Sequence, residues 1–314
     1  VRVPEELVAA LREGTDFVLA THISPEGDAL GSQIALAMAL EAMGKTAYLY
    51  NRDGVPDFYG FLPGCEKINR ELPADTEGSA LLLLDCNKPE RAAVDGRPFK
   101  SSIVVDHHQT ESDFGDVRWI EPQAPATGLM VFELLKALGS EITAAVAVNL
   151  YAAIAVDTGT FRYNNTTPEV LRTAAELAEA GAAPGEVAEG IYESWSTPRF
   201  NLLCRTLGTL ELHDGMALTV ATQEMFRQTG TAVSDTEEFS NFSRMIRDAR
   251  VSAFLRELPG GGWKVSLRSK GEHDVARVAE RFGGGGHKNA AGCTIEGDLA
   301  SAKRRLAEAI REIL

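Results

Sequence analysis

The first half of the chain alternates short, β-rich apolar runs with stretches whose apolar residues recur at helical spacing. This is the rhythm of βαβ units and a parallel sheet. FVLAT (17–21), TAYLY (46–50), ALLLLD (80–85) and SIVVD (102–106) are predicted strands. Between and after them, DALGSQIALAMALEAMG and TGLMVFELLKALG read as helices that stop at Gly44 and Gly139. The segment AAVAVNLYAAIAVDTG fits either a helix or a helix followed by a strand at the start of 152–157, and periodicity does not separate the two. A helix pair follows, TPEVLRTAAELAEAG and APGEVAEGIYESW, each opening with a cap residue and a Pro near its first turn. From about Thr206 the pattern changes. TLELHDGMALTVAT, VSAFLREL and WKVSLRS read as alternating, half-exposed strands with Gly-rich turns such as PGGGW. The pattern predicts an α/β chain in two parts: a parallel-sheet domain over 1–190 and, after a linker over 191–205, a smaller α/β domain over 206–314.

Length agrees, since 314 residues suit two domains of about 100 to 200 residues each. No apolar run approaches the roughly 18 residues of a membrane span, and VRVPEELVAALREG has neither the apolar stretch nor the cleavage site of a signal peptide. Four scattered cysteines, Cys65, Cys86, Cys204 and Cys293, contain no C-x-x-C, which argues against a disulfide framework or zinc ribbon. A cytoplasmic location is expected. The formal charge of −14 argues against general binding to long nucleic acid, because such affinity comes mostly from Lys and Arg on phosphates. The charge is uneven, however. Between Asn241 and Lys288 ten Lys/Arg face five Asp/Glu, a local net of +5 and the preferred region for an anionic ligand.

Four groups of metal-binding side chains follow the proposed strands: His22, Glu26 and Asp28; Asp85; Asp106, His107 and His108; and Asp157. In an open parallel sheet the strand C-termini share one edge, so these groups can converge. Singly, each has a plainer reading, because a lone Asp after a strand is usually a turn or helix-cap residue. Together, acids gathered at one edge would repel each other and raise one another's pKa unless cations were present. Imidazole and carboxylate without thiolate suit Mn²⁺ better than a structural zinc, with Mg²⁺, Co²⁺ and Fe²⁺ left open. Four carboxylates, Glu26, Asp28, Asp85 and Asp157, balance the charge of two divalent ions, and one of them must bridge to hold a pair at the roughly 3.5 to 4 Å of phosphoryl-transfer sites.

H-x-x-x-E-x-D-A-L-G-S, the strand-end Asp85, D-H-H and A-x-D-T-G-T-F stand in the order expected of DHH phosphoesterases, and F-G-G-G-G-H-K-N-A-A-G (282–292) resembles the signature of their DHH-associated C-terminal domain. The resemblance spans nearly the whole chain. It points to the NrnA-type branch, which couples oligoribonuclease with phosphatase activity on 3'-phosphoadenosine 5'-phosphate (pAp), rather than to the larger RecJ nucleases or membrane-anchored cyclic-dinucleotide phosphodiesterases. It implies a parallel-sheet DHH domain, a C-terminal domain with a mixed sheet, and an active-site cleft between them. It also implies one metal on His22, Glu26 and Asp85, and another on Asp28, Asp85, His107 and Asp157, with Asp85 as the bridge. His108 would then face the phosphate, and Asp106 would support from behind by fixing an imidazole. Glu26 departs from the pattern, since many relatives carry Asp there.

In the second domain, Gly284, Gly285, Gly286 and His287 could form an anion-binding loop through exposed backbone N–H groups. A bare Gly-rich stretch is otherwise a tight turn, and the match with the preceding SLRS is what the resemblance adds. Arg268 and Ser269 are read as the grip on a terminal phosphate, with Arg162 as a further contact. The resemblance thus implies an enzyme that cuts short RNA oligonucleotides to mononucleotides and dephosphorylates pAp. Linear dinucleotides are further candidate substrates, long duplex nucleic acid and membranes are not expected as partners, and a homodimer is compatible with it. The metal site alone does not separate this activity from inorganic pyrophosphatase or exopolyphosphatase activity. A non-catalytic nucleotide-binding regulator would be expected to have lost ligands, and apart from Glu26 the pattern is intact.

Overall fold

The computed structural model describes residues 2–108 and 112–314, which form two compact units divided between Ser194 and Trp195. The first unit opens with helix α1 (Glu5–Glu13), then runs β1 (Asp16–Ala20), α2 (Gly27–Ala42), β2 (Thr46–Tyr50), β3 (Ala80–Leu84), β4 (Ser101–Asp106) and β5 (Val117–Ile120). Four helices complete it: α3 (Thr127–Leu138), α4 (Ala144–Asp157), α5 (Pro168–Glu179) and α6 (Pro184–Tyr192). The five strands pair in parallel in the order β2-β1-β3-β4-β5. Both faces of the sheet are buried. Phe17, Leu19, Leu82 and Leu84 face the α2–α3–α4 layer, whereas Val18, Leu81 and Leu83 pack on the opposite side with Tyr50, Ala92 and Val94. Double burial explains why β3 reads as an unbroken run, ALLLL.

Here the structure decides between the two readings left open for the segment before Thr158 and departs from the sequence pattern in two further details. The segment 152–157 is helical throughout, as the last turns of α4, so Asp157 stands at a helix end and not after a strand. The helix is apolar on nearly every side because it lies between α2 and α5, which erases the one-sided period that would have identified it. Strand β5, which no pattern marked, is a short edge strand with one buried side chain, Trp119. In the later helix pair, Thr167 caps α5 through Val170 N, but α6 has no side-chain cap at Ala183.

The second unit contains α7 (Thr197–Leu207), β6 (Glu211–His213), β7 (Met216–Ala221), α8 (Gln223–Thr229), α9 (Phe239–Arg244), β8 (Val251–Glu257) and β9 (Trp263–Ser269). It ends with α10 (Val275–Glu280), β10 (Gly285–His287), β11 (Ala290–Ile295) and α11 (Leu299–Arg311). Its six strands form a mixed sheet in the order β10-β11-β9-β8-β7-β6, antiparallel except for the β7–β8 pair. Much of the stretch expected as a linker is therefore helix: α7 packs Leu202 and Leu203 against Phe226, Phe239 and Phe254. The expected half-exposed alternation holds only for β9. Every residue of β7 is buried, and so are the first five of β8, because α7 and α9 cover one face of the sheet while α10 and α11 cover the other. Among the described residues no helix is long and apolar enough to cross a membrane.

Candidate metal centre and active site

The strand order reverses direction at β1 and β3, and in open parallel sheets that switch point leaves a crevice beyond the strand C-termini. The first three groups of side chains arise there. His22 lies two residues beyond β1, Asp85 directly follows β3, and Asp106 ends β4 with His107 and His108 after it. Asp85 has φ 56°, a left-handed conformation that a non-glycine residue holds only under constraint from its surroundings. Asn51, after β2, supports His22 from below by donating to Thr21 Oγ1 (2.8 Å) and to the His22 carbonyl (2.9 Å).

Glu26 is the N-cap residue of α2, and the other two acids come from helices in close contact. Asp28 lies in the first turn of α2 and Asp157 is the last residue of α4, and two α2 glycines set their approach. A Cβ on Gly31 would lie 2.3 Å from the Asn149 carbonyl oxygen, and one on Gly27 would lie 2.6 Å from Val156 Cγ2. Beyond Asp157 the chain turns back through Gly159, Thr160 and Phe161, all with positive φ (57°, 56° and 61°). Asn165 secures this turn by donating to the Asp157 and Pro125 carbonyls, each at 3.1 Å.

Ligand atoms converge in three overlapping groups, His22–Glu26–Asp85, Asp28–His107–Asp157 and Asp85–His107–His108, with all ligand atoms of a group within 4.8 Å of one another. In the first, His22 Nε2 is 3.1 Å from Glu26 Oε1 and 3.4 Å from Asp85 Oδ2. In the second, His107 Nε2 is 3.2 Å from Asp157 Oδ2 and 3.8 Å from Asp28 Oδ2. The other Asp85 oxygen, Oδ1, lies 3.4 Å from His107 Nε2, so its two oxygens are divided between the two groups. His22 Nδ1 and His107 Nδ1 lie 2.9 and 3.1 Å from the carbonyls of Ile23 and Ala124. Each can donate there, which leaves Nε2 free to coordinate a cation. Asp106, fully buried, accepts from His108 Nδ1 at 2.7 Å and from the His108 amide at 3.2 Å.

Electrostatics show what the donor set needs. Burial, followed by the Asp85 and Asp157 charges, raises the Asp28 carboxyl well above the usual carboxylate range. Burial also pushes Asp157 up to about 7, with Asp85 and Glu26 adding to the effect and His107 opposing it. Burial works against charged imidazoles, yet Glu26 and Asp85 hold His22 well above its ordinary value, and Asp85, Asp157 and Asp28 do the same for His107. Those two histidines, with His108, hold Asp85 well below the carboxylate range despite its burial. Protons on the imidazoles thus supply the positive charge that the acids demand, and a pair of divalent cations fits the same donors.

Cations binding these donors would have to displace those protons, so affinity should fall as pH falls through the raised histidine values. Calorimetric titration of the metal-stripped protein with Mn²⁺ in buffers of different ionisation enthalpy should show proton release, and binding should tighten from about pH 6 to about pH 8. Affinity flat across that range would contradict the donor assignment.

In the second unit His287, Ala290 and Arg268 are register partners across β10, β11 and β9, so their side chains share one face of the sheet. Arg268 Nε donates to Asn241 Oδ1 of α9 at 3.3 Å. Ser269 corrects the sequence reading. As the next residue on β9 it points to the opposite face, is buried, and donates its hydroxyl to the His273 carbonyl at 2.6 Å, so it cannot share a phosphate with Arg268. The glycine run is also more than a loop, since Gly285 and Gly286 belong to edge strand β10. A Cβ at Gly284 would lie 2.1 Å from the Gly292 carbonyl oxygen, and one at Gly286 would lie 2.5 Å from that of Ala290. Strand packing therefore accounts for these two glycines, whereas Gly285 faces open space. In the first unit the exposed Arg162 folds its Nε back onto the Gly159 carbonyl at 2.6 Å.

A DHH family N-terminal domain matches residues 16–154, and a DHHA1 domain matches residues 218–314. The bifunctional oligoribonuclease and PAP phosphatase NrnA of Thermus thermophilus is 38% identical over 317 aligned residues, covering 100% of this chain and 94% of its own. The chain belongs to the DHH family. A second relative, bifunctional oligoribonuclease and PAP phosphatase NrnA of Bacillus subtilis, is 26% identical and is covered to 92%, as is this chain. Among solved structures, an exopolyphosphatase-related protein from Bacteroides fragilis superposes with a TM-score of 0.89 at 27% identity, covering 98% of this chain and 95% of that one. Both units of this DHH protein therefore have full-length counterparts.

Sequence reasoning missed Thr127. It read only as part of an apolar helix, yet its backbone N–H and hydroxyl touch Asp28 and Asp85. No local signal marked it, because both partners lie far away in sequence.

Proposed function

We propose that the protein is a metal-dependent phosphoesterase that hydrolyses short oligoribonucleotides to mononucleotides and converts pAp to AMP. The observation that carries this reading is the division of the Asp85 oxygens between two His/carboxylate groups, the arrangement a bridging carboxylate needs. The donor chemistry favours Mn²⁺. When bound, two such ions would supply a water of lowered pKa and charge stabilisation for in-line displacement at phosphorus. We assign His22, Glu26 and Asp85 to one ion and Asp28, Asp85, His107 and Asp157 to the other. Asp106 fixes the His108 ring through Nδ1, and we assign His108 Nε2 to the phosphate oxygens or the leaving group. Arg268 and His287, on one face of the second sheet, are the proposed grip on the nucleotide's far phosphate, with Gly285 allowing close backbone approach. We keep Arg162 as a further proposed phosphate contact.

The preference for short substrates follows from charge, because a chain of −14 offers few phosphate contacts along a long strand. The exopolyphosphatase-related name of the Bacteroides relative supports a second reading, hydrolysis of pyrophosphate or polyphosphate. Offering pAp, a diribonucleotide, RNA of about 24 nucleotides and pyrophosphate side by side with Mn²⁺ separates them. Turnover of pAp and the dinucleotide is expected, with the long RNA slower by at least about tenfold. Equal rates on both RNA lengths would overturn the size preference, and turnover of pyrophosphate alone would favour the second reading.

A further inference from the structure

We infer that Thr127 is a positioning residue for both proposed cation sites: its hydroxyl fixes the plane of the bridging carboxylate Asp85, while its amide and that of Gly128 fix Asp28. The inference rests on the two-cation reading above. Thr127 is the first residue of α3 and is fully buried. Its Oγ1 donates to Asp85 Oδ1 at 3.0 Å, its N–H donates to Asp28 Oδ2 at 2.7 Å, and Gly128 N–H donates to Asp28 Oδ1 at 2.7 Å. One dipeptide therefore holds two acids that come from different elements, the end of β3 and the first turn of α2.

The two acids are held differently. Asp28 takes two short amide bonds at a helix start, where the helix dipole also favours negative charge, and Ser32 Oγ adds a third contact at 3.2 Å. Its orientation is a property of the backbone. Asp85 has neighbours that impose conflicting demands, with Oδ2 toward His22 at 3.4 Å and Oδ1 toward His107 at 3.4 Å and His108 at 3.7 Å. Rotation of its carboxylate about the Cβ–Cγ bond would take both oxygens out of line at once. The Thr127 hydroxyl is a side-chain donor that restrains that rotation without itself being a ligand. Space supports the same role for the dipeptide, since a Cβ on Gly128 would lie 2.5 Å from Ala153 Cβ and 3.2 Å from Asp28 Oδ1.

Removing the hydroxyl while keeping the backbone separates these effects. Thr127→Val leaves both amides on Asp28, whereas Thr127→Ser keeps the donor and loses only a methyl group. Metal-stripped wild type, T127V and T127S are titrated with Mn²⁺ by calorimetry, and kcat and KM for pAp are measured at saturating Mn²⁺. The expected result is two Mn²⁺ per wild-type chain and affinity weaker by about 10- to 100-fold in T127V, as for other residues that orient ligands. T127V should also lose kcat while KM stays within about twofold, and T127S should stay close to wild type on every measure. If T127V does not fold, T127A against T127S isolates the same hydroxyl. Wild-type Mn²⁺ affinity in the hydroxyl-free variant would overturn the inference. A wild-type chain that binds fewer than two Mn²⁺ would instead remove the two-cation reading beneath it.

Discussion

Asp85→Ala should lower turnover of pAp by about 1000-fold or more, with Mn²⁺ lost from both sites, whereas His108→Ala should lose about 100-fold in kcat and keep its metals. The contrast follows from what each side chain touches. Asp85 has His22 on one oxygen and His107 and Thr127 on the other, so its removal takes a ligand from both groups and leaves the buried His22 and the half-buried His107 without their shared acid. His108 is held by Asp106, 2.7 Å from Nδ1, and although it lies near Asp85 and His107 it is assigned to neither ion. Metal content of the two variants, measured by elemental analysis after dialysis, is the discriminating readout. An Asp85→Ala protein that retained two ions would contradict the bridge, and a His108→Ala protein that lost them would move His108 into the ligand set.

The second large effect concerns stability. Gly31→Ala should destabilise the fold by about 3 kcal/mol, at the upper end for overpacking, because the added methyl would lie 2.3 Å from a backbone oxygen, that of Asn149, and not from a flexible side-chain tip. The strain would be relieved by separating α2 from α4. Since α2 carries Asp28 and α4 ends at Asp157, that separation should also weaken Mn²⁺ binding while leaving every ligand in the sequence. Denaturant unfolding reads the first effect and calorimetric titration the second. Unchanged values in both would show that the close helix contact is not what sets the spacing of the two acids.

The site was legible in the sequence where a strand supplied the logic. β1, β3 and β4 are short apolar runs, and the residues at or just beyond their ends, His22, Asp85, Asp106, His107 and His108, had to emerge at one edge once the sheet was parallel. Asp157 reached the same edge by another route, because an apolar helix buried on both sides carries no period to distinguish it from a strand. Thr127 was hidden for a different reason: its contacts lie 42 and 99 residues away, and no local pattern encodes them. In the second unit, adjacency in SLRS suggested a shared phosphate for Arg268 and Ser269. Strand alternation assigns them to opposite faces, a consequence already contained in the reading of WKVSLRS as an alternating strand.

The proposed bridge at Asp85 is tested most directly by anomalous diffraction at the manganese edge from crystals grown with Mn²⁺. Two peaks are expected about 3.5 to 4 Å apart, one beside His22, Glu26 and Asp85 Oδ2, the other beside Asp28, His107, Asp157 and Asp85 Oδ1. A single peak, or two peaks that do not share Asp85, would contradict the account.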